Sequence, residues 1–238
     1  MKDLPENARA LWMKATHAVE LRNYGYAISL IQNVLKLCPG FAEGYPRLRK
    51  LEIMAGLRIG DDVKGAVFLD RDGVINQPVI RDGKPYPPAT LGEFKILSGV
   101  PEACVQLKMA GWPLIVATNQ PDVGRGTQRR EDVEEMHNFM CRLLPIDRVD
   151  VCYDPGQGQP SEFRKPAPGM LLRAARELAI ELPQSWMIGD RWRDIDCGAA
   201  AGCRTIFIDY GYDEKLRAQP DFRAGSLLEA AAIVLAEG

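Results

Sequence analysis

The chain of 238 residues is long enough for one or two domains and a substantial hydrophobic core. Its 46% apolar and 26% charged residues are ordinary for a soluble globular protein, and 30 Lys+Arg against 32 Asp+Glu leave a net charge of -2. That balance gives no electrostatic argument for nucleic acid or an anionic membrane as partner. No apolar run approaches the ~20 residues of a membrane span, and Met1 to Ala10 mixes acids and bases, unlike a signal peptide. The expectation is a cytoplasmic chain with no membrane and no nucleic acid among its partners. The six Cys form no Cys-x-x-Cys pair and read as reduced thiols in apolar stretches.

In chain order, residues 7–57 carry helical periodicity and no strand-like run. Leu11, Ala15 and Ala18 mark a first helix; Ala27, Ile31 and Val34 mark a second, which ends before Cys38-Pro39-Gly40. A third is expected over Ala42–Met54. From Ala8 on, the small, apolar and Pro positions resemble those of a tetratricopeptide repeat, whose period is about 34 residues. A plain helical hairpin docked on a neighbouring domain accounts for them equally, and so short an array must pack on the rest of the chain or on a partner. The stretch 56–65, with its Gly residues and adjacent Asp61 and Asp62, reads as a linker between domains at 1–60 and 65–238.

Beyond it, five short apolar runs predict strands: Ala66–Leu69, Pro113–Ala117, Val149–Tyr153, Ser185–Ile188 and Thr205–Ile208. Helical patterns over Val100–Ala110, Thr127–Leu144, Gly169–Ala179 and Ile195–Ala201 separate most of them, with Thr127 as the expected N-cap of its helix. Alternation of this kind predicts an α/β fold, a parallel sheet with helices on both faces, whose ligands bind beyond the carboxyl ends of the strands.

The residues after those runs carry the chemistry. Asp70-Arg71-Asp72-Gly73 follows the first, Thr118-Asn119-Gln120 the second, Lys165 lies in the loop after the third, and Gly189-Asp190-Arg191 follows the fourth. Each alone is an ordinary turn or cap; their joint occurrence at strand ends is the signal. Clustered carboxylates repel unless a cation neutralises them, and an all-oxygen donor set favours Mg²⁺. Asp70 suits a nucleophile that splits phosphate-ester hydrolysis through an aspartyl phosphate, and Asp72 an acid that protonates the leaving oxygen and then activates water. Thr118 and Asn119 are placed to hydrogen-bond the phosphoryl oxygens, Lys165 to balance their charge, and Asp190 to complete the Mg²⁺ shell.

Phe68-Leu-Asp70-Arg-Asp72-Gly73-Val-Ile-Asn76, Ala117-Thr-Asn-Gln120, Arg164-Lys165-Pro166 and Ile188-Gly-Asp190 together resemble the haloacid dehalogenase-like (HAD) phosphatases. Within them the resemblance, over about residues 65–210, is to the group that acts on histidinol phosphate and D-glycero-D-manno-heptose 1,7-bisphosphate. It implies a Rossmann-like fold and a Mg²⁺-dependent phosphatase working on a phosphomonoester of a small metabolite, such as a heptose bisphosphate or another sugar phosphate. Asp70, Asp72, Thr118 and Lys165 would be catalytic, while Asn119, Gln120, Arg164 and Arg191 would contact substrate. Asp70, Asp190 and the backbone carbonyl of Asp72 would hold the metal. Histidinol phosphate stays open as substrate, as does a protein that binds a partner through residues 1–60 with the phosphatase fold as scaffold.

Relatives of this group commonly hold a structural zinc through Cys and His residues ahead of the Arg-Lys-Pro. Here only Cys152 remains; the other positions read Asp154, Ser161 and Phe163, so zinc is not expected. The loop 154–163 is then expected to be looser or pinned by Phe163. The intervals from Asp70 to Thr118 (48 positions) and from Thr118 to Lys165 (47) leave no room for an inserted cap of ~60–100 residues. An open, capless site follows. Gly124-Arg125-Gly126 reads equally as a substrate loop or a turn, and Trp192 as a sugar platform or a cover for the sheet edge. His17 and His137, on predicted helices far from the carboxylates, are expected to serve neither as metal ligands nor as general bases.

Overall fold

The computed structural model describes residues 4–41, 43–55, 65–81, 84–211 and 214–238. Three helices come first: α1 (Glu6–Glu20), α2 (Tyr24–Leu37) and α3 (Gly44–Met54). The α2 helix is capped by Asn23, whose side chain accepts from the Tyr26 N–H at 3.2 Å. Ala8, Ala15 and Ala27 are fully buried among Trp12, Ile31, Val34 and Leu48, small side chains that let helix backbones approach. Phe41 meets the Trp12 ring edge-on at 4.9 Å, with the Arg47 guanidinium over the same indole at 4.6 Å. The expected linker lies outside the described residues, apart from Gly65.

The rest is α/β. Strands β1 (Val67–Leu69), β4 (Leu114–Asn119), β5 (Arg148–Cys152), β6 (Trp186–Gly189), β7 (Arg204–Ile208) and β8 (Phe222–Ala224) form one parallel sheet in the order β5-β4-β1-β6-β7-β8. Helices α4 (Val100–Met109), α5 (Pro121–Gly124), α6 (Arg130–Leu143), α7 (Gly169–Leu178) and α8 (Trp192–Ala201) lie in the connections, and α9 (Leu227–Glu237) follows the last strand. A two-stranded antiparallel hairpin, β2 (Val79–Arg81) and β3 (Lys84–Tyr86), stands apart from the sheet.

Both faces of the sheet are covered, which is why its strands read as unbroken apolar runs. Val67 and Leu69 point into a core built with α4, α6 and α9, and Phe68 into a second one with Met170, Leu171 and Cys197 of α7 and α8. The amino-terminal helices dock on this body. Val105 and Met109 of α4 pack against their core, and Gly40 lies so close to the Cys141 and Arg142 carbonyls of α6 that no Cβ would fit.

Two features differ from the sequence reading, and one of its expectations is met. Thr127 is not a cap: α6 starts at Arg130, and the Thr127 hydroxyl donates back to the Asp122 carbonyl at 3.2 Å, closing the turn after α5. The sheet has a sixth strand, β8, and a last helix, α9, capped by the Ser226 side chain at the Glu229 N–H. Among the described residues, the intervals from β1 to β4 and from β4 to β5 hold only the hairpin, one 3₁₀ turn (Leu91–Glu93), α4, α5 and α6, so the fold is capless. No helix of the described chain is long and apolar enough to cross a membrane.

Candidate active site

Strand β1 is central, flanked by β4 and β6 in matched register, with Leu69 opposite Val116 and Ile188. The sheet therefore delivers Asp70, Thr118-Asn119 and Asp190 to one edge, where its strands end. A cleft of about 370 Å³ opens there, lined by Asp70, Asp72, Asn119, Lys165, Asp190 and Asp194 together with Arg125, Arg164, Arg191 and Arg193.

At its floor the Lys165 ammonium lies 2.8 Å from Asp70 Oδ1 and 2.6 Å from Asp194 Oδ1, and all three side chains are largely buried. One oxygen each of Asp70, Asp190 and Asp194 falls within 4.8 Å of the others. Burial pushes the Asp70 carboxyl up to about 6; Lys165 pulls against it, and Asp194 and Asp72 add to it. Asp190 is pushed up to about 8 by burial and by the facing Asp70 and Asp194. Its Oδ1 is buried with no hydrogen-bond partner among the described residues. Acids crowded in this way take up a proton or a cation, and the all-oxygen donor set fits a hard divalent ion. Gly73, at φ +88°, presses on the Asp190 carboxylate where a Cβ would collide, and its carbonyl accepts from the Tyr210 hydroxyl at 2.7 Å.

Asp72 is turned another way. Arg71 Nη2 donates to both its oxygens at 2.9 and 3.0 Å, Asn76 Nδ2 to Oδ1 at 3.0 Å, and Gln120 Nε2 to Oδ2 at 2.8 Å. Burial works to raise this carboxyl, but the Arg71 charge and these donors override it and hold it below the usual range. Gln120, expected at the substrate, is buried, and its amide also donates to Thr118 Oγ1 at 3.0 Å. Asn119 uses both ends of its amide on the Lys165 backbone, at 3.0 Å to the carbonyl and 3.1 Å from the N–H. Arg191 lies near Asp190 (3.5 Å) and Glu214 (3.3 Å).

Two further side chains contribute, Asp194 from four residues beyond Asp190 and His137 from far along the chain. Asp194 joins the cluster because it opens α8, where its Oδ2 accepts from the Arg191 N–H at 3.0 Å. His137 reaches Arg71 from α6, with Nε2 3.1 Å from Nη1.

The loop 154–163 is not loose. The Asp154 carboxylate accepts from the Gly156 N–H at 2.6 Å and the Ser161 N–H at 2.5 Å, and Arg164 Nη1 donates to the Asp154 carbonyl. The backbone N–H of Ser161, then that of Gly156, holds the Asp154 carboxyl below its usual range. Phe163 packs on the α7/α8 core under the Arg173 guanidinium, so both devices act. Cys152 is buried in the same core, with its thiol raised by burial, and the Ser161 hydroxyl accepts from the Phe163 N–H. These donors do not fit a tetrahedral zinc. Arg125 lines the cleft while bonding Asp122 and the Pro155 carbonyl, both at 3.1 Å. The Trp192 ring is not a bare platform: the Arg217 guanidinium stacks on it at 3.6 Å and that of Arg193 lies at 4.7 Å.

Comparison with known proteins agrees with this architecture. A family model described as HAD-hydrolase-like matches residues 162–230. A D-glycero-D-manno-heptose-1,7-bisphosphate 7-phosphatase of Thermosynechococcus vestitus is 33% identical over 187 residues, 69% of this chain and 92% of that one. The chain belongs to the HAD-like phosphatases, in the heptose-bisphosphate phosphatase group. This HAD-like phosphatase is also 37% identical over 151 residues to a D-glycero-beta-D-manno-heptose-1,7-bisphosphate 7-phosphatase of Photorhabdus laumondii, over 59% of this chain and 77% of that one. The structure of the D,D-heptose 1,7-bisphosphate phosphatase of B. bronchiseptica, complexed with magnesium and phosphate, superposes with a TM-score of 0.60 and 27% identity, covering 73% of this chain and 99% of that one. That of Burkholderia thailandensis gives 0.52 at 27% identity, covering 73% and 100%. The HAD-like phosphatase is thus a phosphoric monoester hydrolase.

Proposed function

We propose that this enzyme removes one phosphate from a phosphorylated sugar, a heptose 1,7-bisphosphate in the first instance, through an aspartyl phosphate on Asp70. One observation carries the reading: the Asp70 carboxylate sits beside the buried Lys165 at the end of the central strand, with Asp190 and Asp194 close by. The relatives' substrate supports the choice of sugar.

In the first step an Asp70 oxygen attacks phosphorus and the sugar oxygen leaves. Asp72 gives that oxygen a proton; an arriving phosphate dianion raises the Asp72 carboxyl from its depressed range and so supports the proton-bearing form. In the second step Asp72, again a carboxylate, takes a proton from the water that attacks the phosphoryl group, and Asp70 is released. Lys165 neutralises the Asp70 carboxylate, then the phosphoryl oxygens. The Thr118 hydroxyl, which accepts from Gln120, keeps its own proton to donate to a phosphoryl oxygen. Mg²⁺, held by Asp70, Asp190 and the Asp72 backbone carbonyl, would supply positive charge to the phosphoryl group. Arg164 and Arg191 would face the rest of the substrate; Asn119 and Gln120 serve it by fixing Lys165, Asp72 and Thr118. We assign no zinc to the 154–163 loop.

The test is phosphate release with Mg²⁺ from heptose 1,7-bisphosphate, hexose phosphates, histidinol phosphate and a nucleotide, with Asp70→Asn as blank. Preference for heptose bisphosphate that vanishes in the variant is the expected result. Preference for histidinol phosphate would overturn the sugar assignment, and activity surviving Asp70→Asn would overturn the nucleophile.

A further inference from the structure

Arg71 is wholly buried, and its partners extend the site away from the cleft. A guanidinium carries five N–H donors and accepts nothing. Nε and Nη2 face the Asp72 carboxylate at 2.9 to 3.3 Å, and Nη1 faces His137 Nε2 at 3.1 Å. The Phe94 ring lies 5.8 Å from the guanidinium carbon and is itself met edge-on by Phe139 at 6.3 Å. His137 and Phe139 both come from α6, and neither is among the residues that line the cleft.

We propose that His137 is a positioning residue for phosphoryl transfer: its neutral imidazole accepts from Arg71 and so fixes the guanidinium that holds Asp72 at the cleft. The inference rests on Asp72 being the acid and base of the reaction. Because Arg71 only donates, the ring nitrogen facing it carries the lone pair, and the imidazole proton sits on Nδ1. Burial, and after it the Arg71 charge, depresses His137 to about 4, which keeps the acceptor form throughout the neutral range. An Arg71 without this acceptor keeps a buried Nη1 with no acceptor among the described residues, and it relieves this by tilting. Asp72 receives the tilt directly, since three of the five side-chain hydrogen bonds to its carboxylate come from Arg71, one from Nε and two from Nη2. A displacement of about 1 Å at a reacting group costs on the order of 100-fold in rate.

Leaving-group dependence separates positioning from packing. Protonation matters for a sugar alkoxide and hardly at all for p-nitrophenolate, and kcat/KM reports the step in which that group departs. The experiment compares wild type, His137→Leu, His137→Gln and Asp72→Asn on heptose 1,7-bisphosphate and p-nitrophenyl phosphate, with Tm recorded for each. His137→Leu is expected to lose about 10- to 100-fold in kcat/KM on the sugar ester and under about threefold on the aryl ester, with KM little changed. His137→Gln, whose amide oxygen replaces Nε2 as acceptor, is expected to recover most of the loss. Should His137→Leu not fold, His137→Asn takes its place, since its shorter amide does not reach Arg71. Activity of the acceptor-less variant within twofold of wild type on both esters would overturn the proposal, as would equal losses on both with no recovery in His137→Gln. If Asp72→Asn itself shows no selective loss on the sugar ester, the assignment of Asp72 fails, and this inference with it.

Discussion

The Asp194 carboxylate stands 2.6 Å from the Lys165 ammonium through one oxygen and caps α8 through the other. The first helical turn after Asp190 thereby grips the lysine delivered by a loop on the other side of β1. Lys165→Met is expected to lower kcat by about 100-fold or more, as removal of a positioned charge from a transition state does. Asp194→Asn keeps the cap and leaves Lys165 to Asp70, so about 10-fold is expected. Asp194→Leu removes half of a buried pair and is expected to cost about 3 kcal/mol of stability, read from urea unfolding.

Adding Mg²⁺ is expected to raise Tm, because the ion binds carboxylates that crowd one another only in the folded state. At about 100 times its Kd the gain is about 2.7 kcal/mol, or several degrees for a chain of this length. Asp190→Asn is expected to abolish that rise in a thermal melt; an undiminished rise would place the ion elsewhere.

Stability in acid tests the state of His137. Its folded value, about 4, lies below the 6.5 of a free imidazole. Below pH 6.5 the unfolded chain takes up a proton that the folded protein refuses until about pH 4, so stability is full above 6.5 and falls across that window. The loss amounts to about 3 kcal/mol at most. His137→Gln is expected to remove that component from the pH dependence of Tm. The carboxyls that also titrate there are present in both proteins and cancel in the comparison.

Asp154→Ala removes the acceptor that closes the 154–163 loop and loosens the ground under Arg164. KM is expected to rise severalfold with kcat less affected, the pattern of lost uniform binding. Elemental analysis of the wild-type protein is expected to return no stoichiometric zinc, and stoichiometric zinc would overturn the role given to Asp154.

Deleting residues 1–60 would uncover Val105 and Met109 on α4 and the α6 carbonyls against which Gly40 packs. The shortened protein is expected to have a lower Tm and to aggregate on gel filtration. An unchanged Tm would show that the helices only rest on the catalytic body.

Much of the fold was legible because a sheet covered on both faces writes itself as apolar runs, and the acids after those runs announce the site. Asp70 and Asp190 needed no more than that. What escaped depended on contacts between distant segments. β8 is three residues long with an exposed Arg223 at its centre, too short to alternate visibly. Gln120 and Asn119 stand where a substrate contact is expected, yet which way an amide turns depends on Asp72 and Lys165 being brought to it. The 66 positions between Arg71 and His137 conceal a pair that only the packing of α6 on the sheet creates. Asp154 follows the same rule: its sequence position announces a lost metal ligand, and only the closed loop reveals what it bonds instead.

An open cleft would also decide what the proposed phosphoenzyme meets. No inserted domain rises over Asp70 among the described residues, and its side chain keeps 12% of its surface in contact with solvent. The acceptor for the proposed second step would then come from the bulk rather than from a sealed chamber. If the proposed phosphoenzyme forms, small alcohols such as methanol or glycerol are expected to compete with water for the phosphoryl group in proportion to their concentration, read as phosphorylated alcohol among the products.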